Sequence, residues 1–445
     1  PKDIVSAAIS LLKFEPSLQK CLQLADNEVI ENPSDVISDL SNLPLLLKLM
    51  SVCPLPDLGL ENLFRKLRAS LLLSISDVTS LPELLNFQSA LALQCFTNEY
   101  IYSHTEEEEK ILQSLEAKLK KIFKNNEQPD PQIILALASY KSLNHYEWSK
   151  SLLVNDKIKD VFTRQVVEPN QEAKLKSALP ILDNITDEVS SKVRDQYEER
   201  PYPRWVNTGF SSKPMSISNV VSGIKLKLHD YKITEVEKPE ILVAGCGTGQ
   251  HSIRNATRFK GSNVLAIDLS LSSLGYAKRK TEELGVENIE YMQADILDLS
   301  KLGKKFDIIE SVGVLHHMDN PAAGWKVLTD CLKPGGLMKI GLYSELARQH
   351  IVEIRKEISN EGIGSSDDEM KSFRDTIIVS ENDHHARTLN FIDFYSLSEL
   401  KDPLFHVQEH RFTIPQIQDC LFQFGLKFCG FETNEEILSH FNTNI

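Results

Sequence analysis

The sequence predicts an α/β protein: a parallel sheet with helices on both faces, preceded by an all-α helical domain. Three observations carry this. Apolar positions recur at helical spacing through residues 1 to about 195. Short apolar strands alternate with helical stretches from Lys238 onward, and the first strand runs directly into a glycine-rich turn. A chain of 445 residues exceeds what one core usually organises. The domains expected are therefore 1–195, helical; 196–235, a connector and lid; and 236–445, the α/β domain with an insertion at about 346–412.

In the helical part, "LENLFRKLRASLLLSI", "SLPELLNFQSALALQCF" and "EEEEKILQSLEAKLKKIF" each show one apolar face. The last opens with Thr105 and four glutamates and closes on lysines, the charge order that a helix dipole favours. Breaks are expected at Pro54 and Pro56, at Thr79-Ser80-Leu81-Pro82, and at "NNEQPDP". Paired helices of this kind can stack as a solenoid, although no fixed repeat period is visible.

In the α/β part the strands expected are "ILVAG", "NVLAID", "IEYMQAD", "FDIIESVGVL" and "GLMKIGLY". After the first, Gly245-Cys246-Gly247-Thr248-Gly249 permits a tight turn and close backbone approach to a ligand beside a helix N-terminus. The second strand ends in Asp268, placed to accept hydrogen bonds from ribose hydroxyls, with helix capping as the structural alternative. The third leads to Asp295, where an adenine amino group can be held. Asn320-Pro321 reads as a helix N-cap and first-turn proline.

Composition excludes some classes. Hydrophobic residues make up 41% and charged residues 25%, as in an ordinary globular protein. The net charge of −14 disfavours a broad nucleic-acid surface, and no apolar run reaches membrane-spanning length. "SAAISLLKF" lacks the basic flank and cleavage site of a leader. Seven cysteines without a Cys-x-x-Cys read as free thiols in a reducing compartment, so the expected location is cytoplasmic.

Taken in order, the glycine loop, Asp268, "QAD", "SVGVLHHM" and "LKPGGLMKI" resemble the class I S-adenosylmethionine-dependent methyltransferases over roughly residues 236 to 345. The resemblance implies a Rossmann-like sheet and S-adenosyl-L-methionine as cofactor. It assigns Gly245, Gly247 and Gly249 to the methionyl part, Asp268 to the ribose, and Asp295 and Ile296 to the adenine. Cys246, Leu269, Ser311 and Tyr197 complete the expected cofactor contacts. The helical region with "YEERPYPRW", "LYSELARQHI" and "FHVQEHRFT" resembles a bacterial subgroup carrying an N-terminal tetratricopeptide-like domain. The residues after "LKFCGFE" leave little room for the seventh, antiparallel strand of that fold.

Methyl transfer requires alignment, exclusion of water and removal of one proton. The acceptor is therefore set by the cover over the sheet edge, expected from the insertion, where seven of twelve histidines fall between 316 and 410. His316, His406, Glu409, His410 and Arg411 are the expected acceptor-side residues, with a structural hydrogen-bond network as the alternative. His406-x-x-Glu409-His410 has the spacing of a zinc protease motif, which requires a helix. Val407, Phe412 and Thr413 favour strand, Pro403 precedes, and Thr413 with Gln416 can cap "IPQIQDCLFQFG". A metal set drawn from His384, His385, His406 and His410 stays open as a minor reading, but no metal is expected. Tyr197, Tyr202, Arg204 and Trp205 read as a lid or an interdomain latch.

The acceptor expected is a small molecule bearing a thiol, amine or hydroxyl. A protein or peptide presented by the helical domain is the second reading, and a cofactor-binding interaction protein the non-enzymatic one. Nucleic acid and membrane partners are not expected, and a homodimer stays open.

Overall fold

The computed structural model describes residues 2–26, 30, 32–75, 82–209, 213–433, 437 and 439. The chain divides into two units. The first comprises Pro1–Gln171, Arg204–Thr208 and His350–Phe405; the second comprises Glu172–Pro203, Gly209–Gln349 and His406–Ile445.

The first unit is helical. Helices Leu58–Leu73, Pro82–Thr97 and Glu106–Lys124 form where the apolar spacing predicts them. Thr105 caps the last in a reciprocal box with Glu108, satisfying two backbone donors that the first turn leaves open. Pro54 and Pro56 lie between helices Pro44–Val52 and Leu58–Leu73, whereas the break expected at 79–81 lies outside the described residues. These four helices are 9, 16, 16 and 19 residues long, so they show no fixed repeat unit.

The expected insertion at 346–412 is split between the units. Residues 350–405 belong to the first unit, where Ile351, Ile354, Phe373, Ile377 and Leu400 join one core with Leu60, Phe64 and Leu67. Helices Gln349–Glu361 and Asp367–Val379 each carry one apolar face, and burying it in that core removes the apolar area from water. Inside this core Arg374 grips Glu61 with two parallel hydrogen bonds of 2.7 and 2.6 Å. Residues 346–349 and 406–412 belong to the second unit.

The second unit holds a sheet of five parallel strands: β1 Glu240–Ala244, β2 Asn263–Asp268, β3 Ile289–Gln293, β4 Phe306–Val312 and β5 Leu332–Gly341. Their order among the described residues is β3-β2-β1-β4-β5. The order reverses direction at β1, so the C-terminal ends of β1 and β4 open a crevice, where ligands bind in such sheets. Leu242 and Ala244 of β1, Leu265 and Ile267 of β2 and Ile309 of β4 share one core with Trp325 and Leu328 of helix Pro321–Asp330. Asn320 caps that helix, accepting from the Ala323 amide at 3.1 Å.

Behind β4 the carboxylate of Glu310 is buried between His251 and Asn255, whose Nδ2 donates at 2.9 Å. Burial opposes its ionisation, but the His251 and Asn255 contacts and the Lys339 charge prevail, holding the carboxyl near 2 against an ordinary 4.5. A carboxyl depressed in the fold stabilises above its unfolded value and loses that contribution as protons bind. The window is therefore pH 4.5 down to about 2, and the contribution is on the order of 3 kcal/mol. Glu310→Gln is expected to flatten the acid limb of a stability–pH profile in that window; an unchanged limb would refute the assignment.

Candidate active site

The strap after β1 is built for close approach. Gly245, Gly247 and Gly249 have φ of +76°, +51° and +87°. A Cβ on Gly247 would stand 2.8 Å from the Tyr202 carbonyl, and one on Gly249 would stand 2.6 Å from the Ala277 methyl. Both positions thus need glycine for space as well as for backbone geometry. Cys246 is buried, its thiol pushed well up by burial and then by the Asp268 charge, which suits a small filler and not a nucleophile.

Asp268 ends β2 and holds the strap. Its Oδ2 accepts from the Gly247 amide at 2.8 Å and its Oδ1 from the Ser270 amide at 2.9 Å. Burial raises its carboxyl, and these backbone donors oppose the rise. The Leu269 amide is a further backbone donor to this carboxylate, which leaves acceptor capacity on it for a ligand. Capping falls to Ser270, which accepts from the Ser273 amide and starts helix Leu271–Glu283. Leu269 accepts from Gln293 Nε2 at 2.7 Å, tying β3 to the same turn.

Asp295 also serves the local backbone. It caps the 3-10 helix Ile296–Leu302, Oδ1 accepting from the Leu297 amide at 3.0 Å, and it is buried with Ser190 as a further donor. Burial raises this carboxyl too. Ile296 is buried in the sheet's core.

The segment 197–203 packs on the strap. Tyr197 stacks with Tyr202 at 6.2 Å, and the Tyr197 carbonyl accepts from Ser270 Oγ. Thr248 Oγ1 donates to the Pro203 carbonyl. Glu198, which sequence reasoning missed, accepts from Ser270 Oγ and the Ser272 amide and pairs with Lys176, so it binds the N-terminus of helix Leu271–Glu283. No local signal pointed to it, because the helix start it binds lies more than 70 residues away in the chain. Arg204 and Trp205 lie in the first unit.

The end of β4 carries the acceptor-side cluster. Ser311 is fully buried and its Oγ has no partner among the described residues. After β4 a 3-10 turn, Leu315–His317, buries His316 completely, with neither ring nitrogen partnered among the described residues. Burial, then His317, Arg348 and His410, push its ring down to about 2, so His316 is neutral. It stacks on Tyr343 at 3.8 Å. His317 Nδ1 faces the Gln408 carbonyl at 2.7 Å, and its ring stacks on His406 at 3.6 Å. His406 Nε2 meets the Tyr197 hydroxyl at 3.1 Å.

Residues 406–412 are not helical, so His406, Glu409 and His410 do not present the single helical face of a zinc protease motif. Helix Leu397–Phe405 runs through Pro403 instead of ending before it, and helix Ile414–Gln423 starts at the Thr413–Gln416 box as expected. His384 and His385 lie in the first unit, and His385 Nε2 meets Glu357 at 2.7 Å. His410 takes Gln408 Nε2 at 2.9 Å, and its amide donates to the His316 carbonyl at 2.7 Å. The Glu409 side chain is wholly buried and pairs with Arg348 and, at 3.7 Å, with Arg411, which also bonds Glu345 at 3.1 Å. Glu409 and Arg411 are thus held by ion pairs, while both nitrogens of His316 are buried without a partner among the described residues. Tyr343 and Arg348 were missed, although both stand in "LYSELARQHI".

A parallel sheet in the order 3-2-1-4-5, with a glycine strap after β1 and an acid at the end of β2, defines an α/β domain that binds a nucleotide-like cofactor. Residues 241–336 match the family model described as "Methyltransferase domain", so the chain contains a methyltransferase domain. An uncharacterized protein of Synechococcus sp. is 35% identical over 126 residues, 28% of this chain and 30% of that one. A ubiquinone biosynthesis O-methyltransferase of Coxiella burnetii is 32% identical over 157 residues, 35% of this chain and 62% of that one. The chain thus spans less than two thirds of the length of either relative. The solved structure of PKMT2 from Rickettsia typhi in complex with AdoHcy is 18% identical, covers 54% of this chain and 50% of that one, and superposes with a TM-score of 0.39. Among the described residues no helix is long and apolar enough to cross a membrane.

Proposed function

We propose that this chain transfers a methyl group from S-adenosyl-L-methionine to a small-molecule acceptor, a hydroxyl first among the candidates. The observation that carries this reading is the methyltransferase-domain match at 241–336, which spans the strap, Asp268, Asp295 and His316. S-Adenosylmethionine is the cofactor: the side-chain-free surface of the strap glycines lets it approach closely, and Asp268 at the end of β2 faces its polar part. When bound, it supplies an activated methyl group. His316 accepts the acceptor's proton. Its two unpartnered nitrogens in a dry setting support this, as does its neutrality. A hydroxyl that has gained a methyl group is a strongly acidic protonated ether that sheds its proton readily, so the main contribution of the neutral His316 ring is to align the acceptor oxygen with the methyl group. The relative from Coxiella burnetii is named as an O-methyltransferase, which supports a hydroxyl acceptor here.

The test is transfer of labelled methyl from S-adenosylmethionine to pools of phenols, thiols, amines and proteins. Label in a small phenol pool is expected. Label confined to protein would replace the small-molecule reading, and no label in any pool would sink it. His316→Gln is expected to lower kcat about 100-fold, the scale of a misplaced acceptor, while cofactor binding is retained. Unchanged turnover would remove His316 from the reaction.

A further inference from the structure

We propose that Arg348 and Glu409 form a positioning pair that holds Tyr343 flat against His316; the catalytic meaning of this pair rests on the methyl-transfer reading above. The Arg348 guanidinium lies 3.9 Å from the Tyr343 ring centroid, and the His316 imidazole 3.8 Å from it. Those distances leave no room for both groups on one face, so Tyr343 is the middle layer of a three-part stack. Arg348 is fixed from below by Glu409, whose side chain is wholly buried, with Arg411 and Glu345 extending the chain of charges.

The backbone closes the same stack. The Phe412 amide donates to the Tyr343 carbonyl at 2.8 Å, the Glu345 amide to the Phe412 carbonyl at 3.1 Å, and the His410 amide to the His316 carbonyl at 2.7 Å. Residues 406–412 thus tie the turn after β4 to the loop after β5. A buried ion pair between two such loops is costly to assemble, and fixing one geometry is the use to which such pairs are best suited. His316 has no hydrogen bond of its own to orient it, so the ring stack and its backbone anchor set its direction. Groups facing it are His317 on its own turn, Tyr343 and Arg348 from the loop after β5, and His410 from the 406–412 segment.

The stack has a spectroscopic signature. An aromatic face at 3.8 Å moves the His316 Hε1 resonance upfield by its ring current. In the full chain with histidines isotopically labelled, Arg348→Met is expected to abolish that upfield shift. It should also lower kcat at least about tenfold, the scale of a misaligned catalytic group, with the KM for S-adenosylmethionine within about twofold of wild type. Arg348→Lys keeps the charge without the planar fork and should restore only part of both. A retained His316 resonance with unchanged kcat would overturn the proposal. If Arg348→Met does not fold, Glu409→Gln carries the test, and an unshifted resonance with full kcat overturns it equally. Wild-type protein that binds no S-adenosylmethionine would end the methyl-transfer reading, while the resonance would still decide whether this pair orients His316.

Discussion

Asp268→Ala is expected to weaken S-adenosylmethionine binding by roughly 30- to 150-fold in calorimetry, with a parallel loss for the demethylated product. The carboxylate organises the strap before any ligand arrives, since its two oxygens accept from the amides of Gly247 and Ser270. Hydrogen bonds to a charged group contribute about 1.5–3 kcal/mol each, and part of this is recovered when water reaches the freed amides. A residual loss of about 2–3 kcal/mol corresponds to the stated change in Kd. The remaining lone pairs of Asp268 add ligand contacts that the variant also lacks. Asp268→Asn keeps one acceptor but turns an N–H toward a backbone N–H, so it should be nearly as poor. Asp295→Ala should cost less at the ligand and more in local order, because Asp295 is committed to Leu297 and Ser190. Equal Kd for wild type and Asp268→Ala would remove Asp268 from the site.

The strands of the second unit were legible because each is short, apolar and bounded by polar turns. β2 ends at Asp268 where "NVLAID" says it should. Caps were legible for the same local reason: Thr105, Asn320 and Thr413 each serve the backbone within three residues of themselves. The destination of helices Gln349–Glu361 and Asp367–Val379 was not. An amphipathic pattern states that a face is buried and leaves its partner unspecified, so residues 350–405 read as a cover when they complete a helical core. Charged residues default to the surface in a sequence reading. Glu198, Glu310, Arg348 and Arg374 were therefore passed over, and each is held by partners distant in the chain. The acceptor cluster was half legible: His316 was found by its position after β4, but the Tyr343 and Arg348 layers beneath it depend on how two loops meet.

Arg374→Met is expected to destabilise the first unit by about 3–5 kcal/mol, the cost of leaving a buried charge without its partner. Arg374 is about 1% exposed and Glu61 about 4%. The guanidinium makes two parallel bonds to that carboxylate and a third, at 2.9 Å, to the Phe394 carbonyl, with its Cζ 4.5 Å from the Phe394 ring centroid. Removing it strands the buried Glu61 carboxylate on a helix whose Leu60, Leu63 and Phe64 are fully buried. The partners stand 313 residues apart, so the pair ties residues 350–405 to helix Leu58–Leu73 and its loss should be felt in both. Hydrogen exchange resolves this locally: amides of Leu58–Leu73 and Asp367–Val379 should lose protection together, while those of β1 and β4 keep theirs. Arg374→Met combined with Glu61→Leu removes both charges and fills much of the volume, and should recover most of the loss. If the single variant exchanges like wild type, the pair contributes no stability; if the double variant is as weak as the single, packing around Phe394 and not the stranded carboxylate is what Arg374 supports.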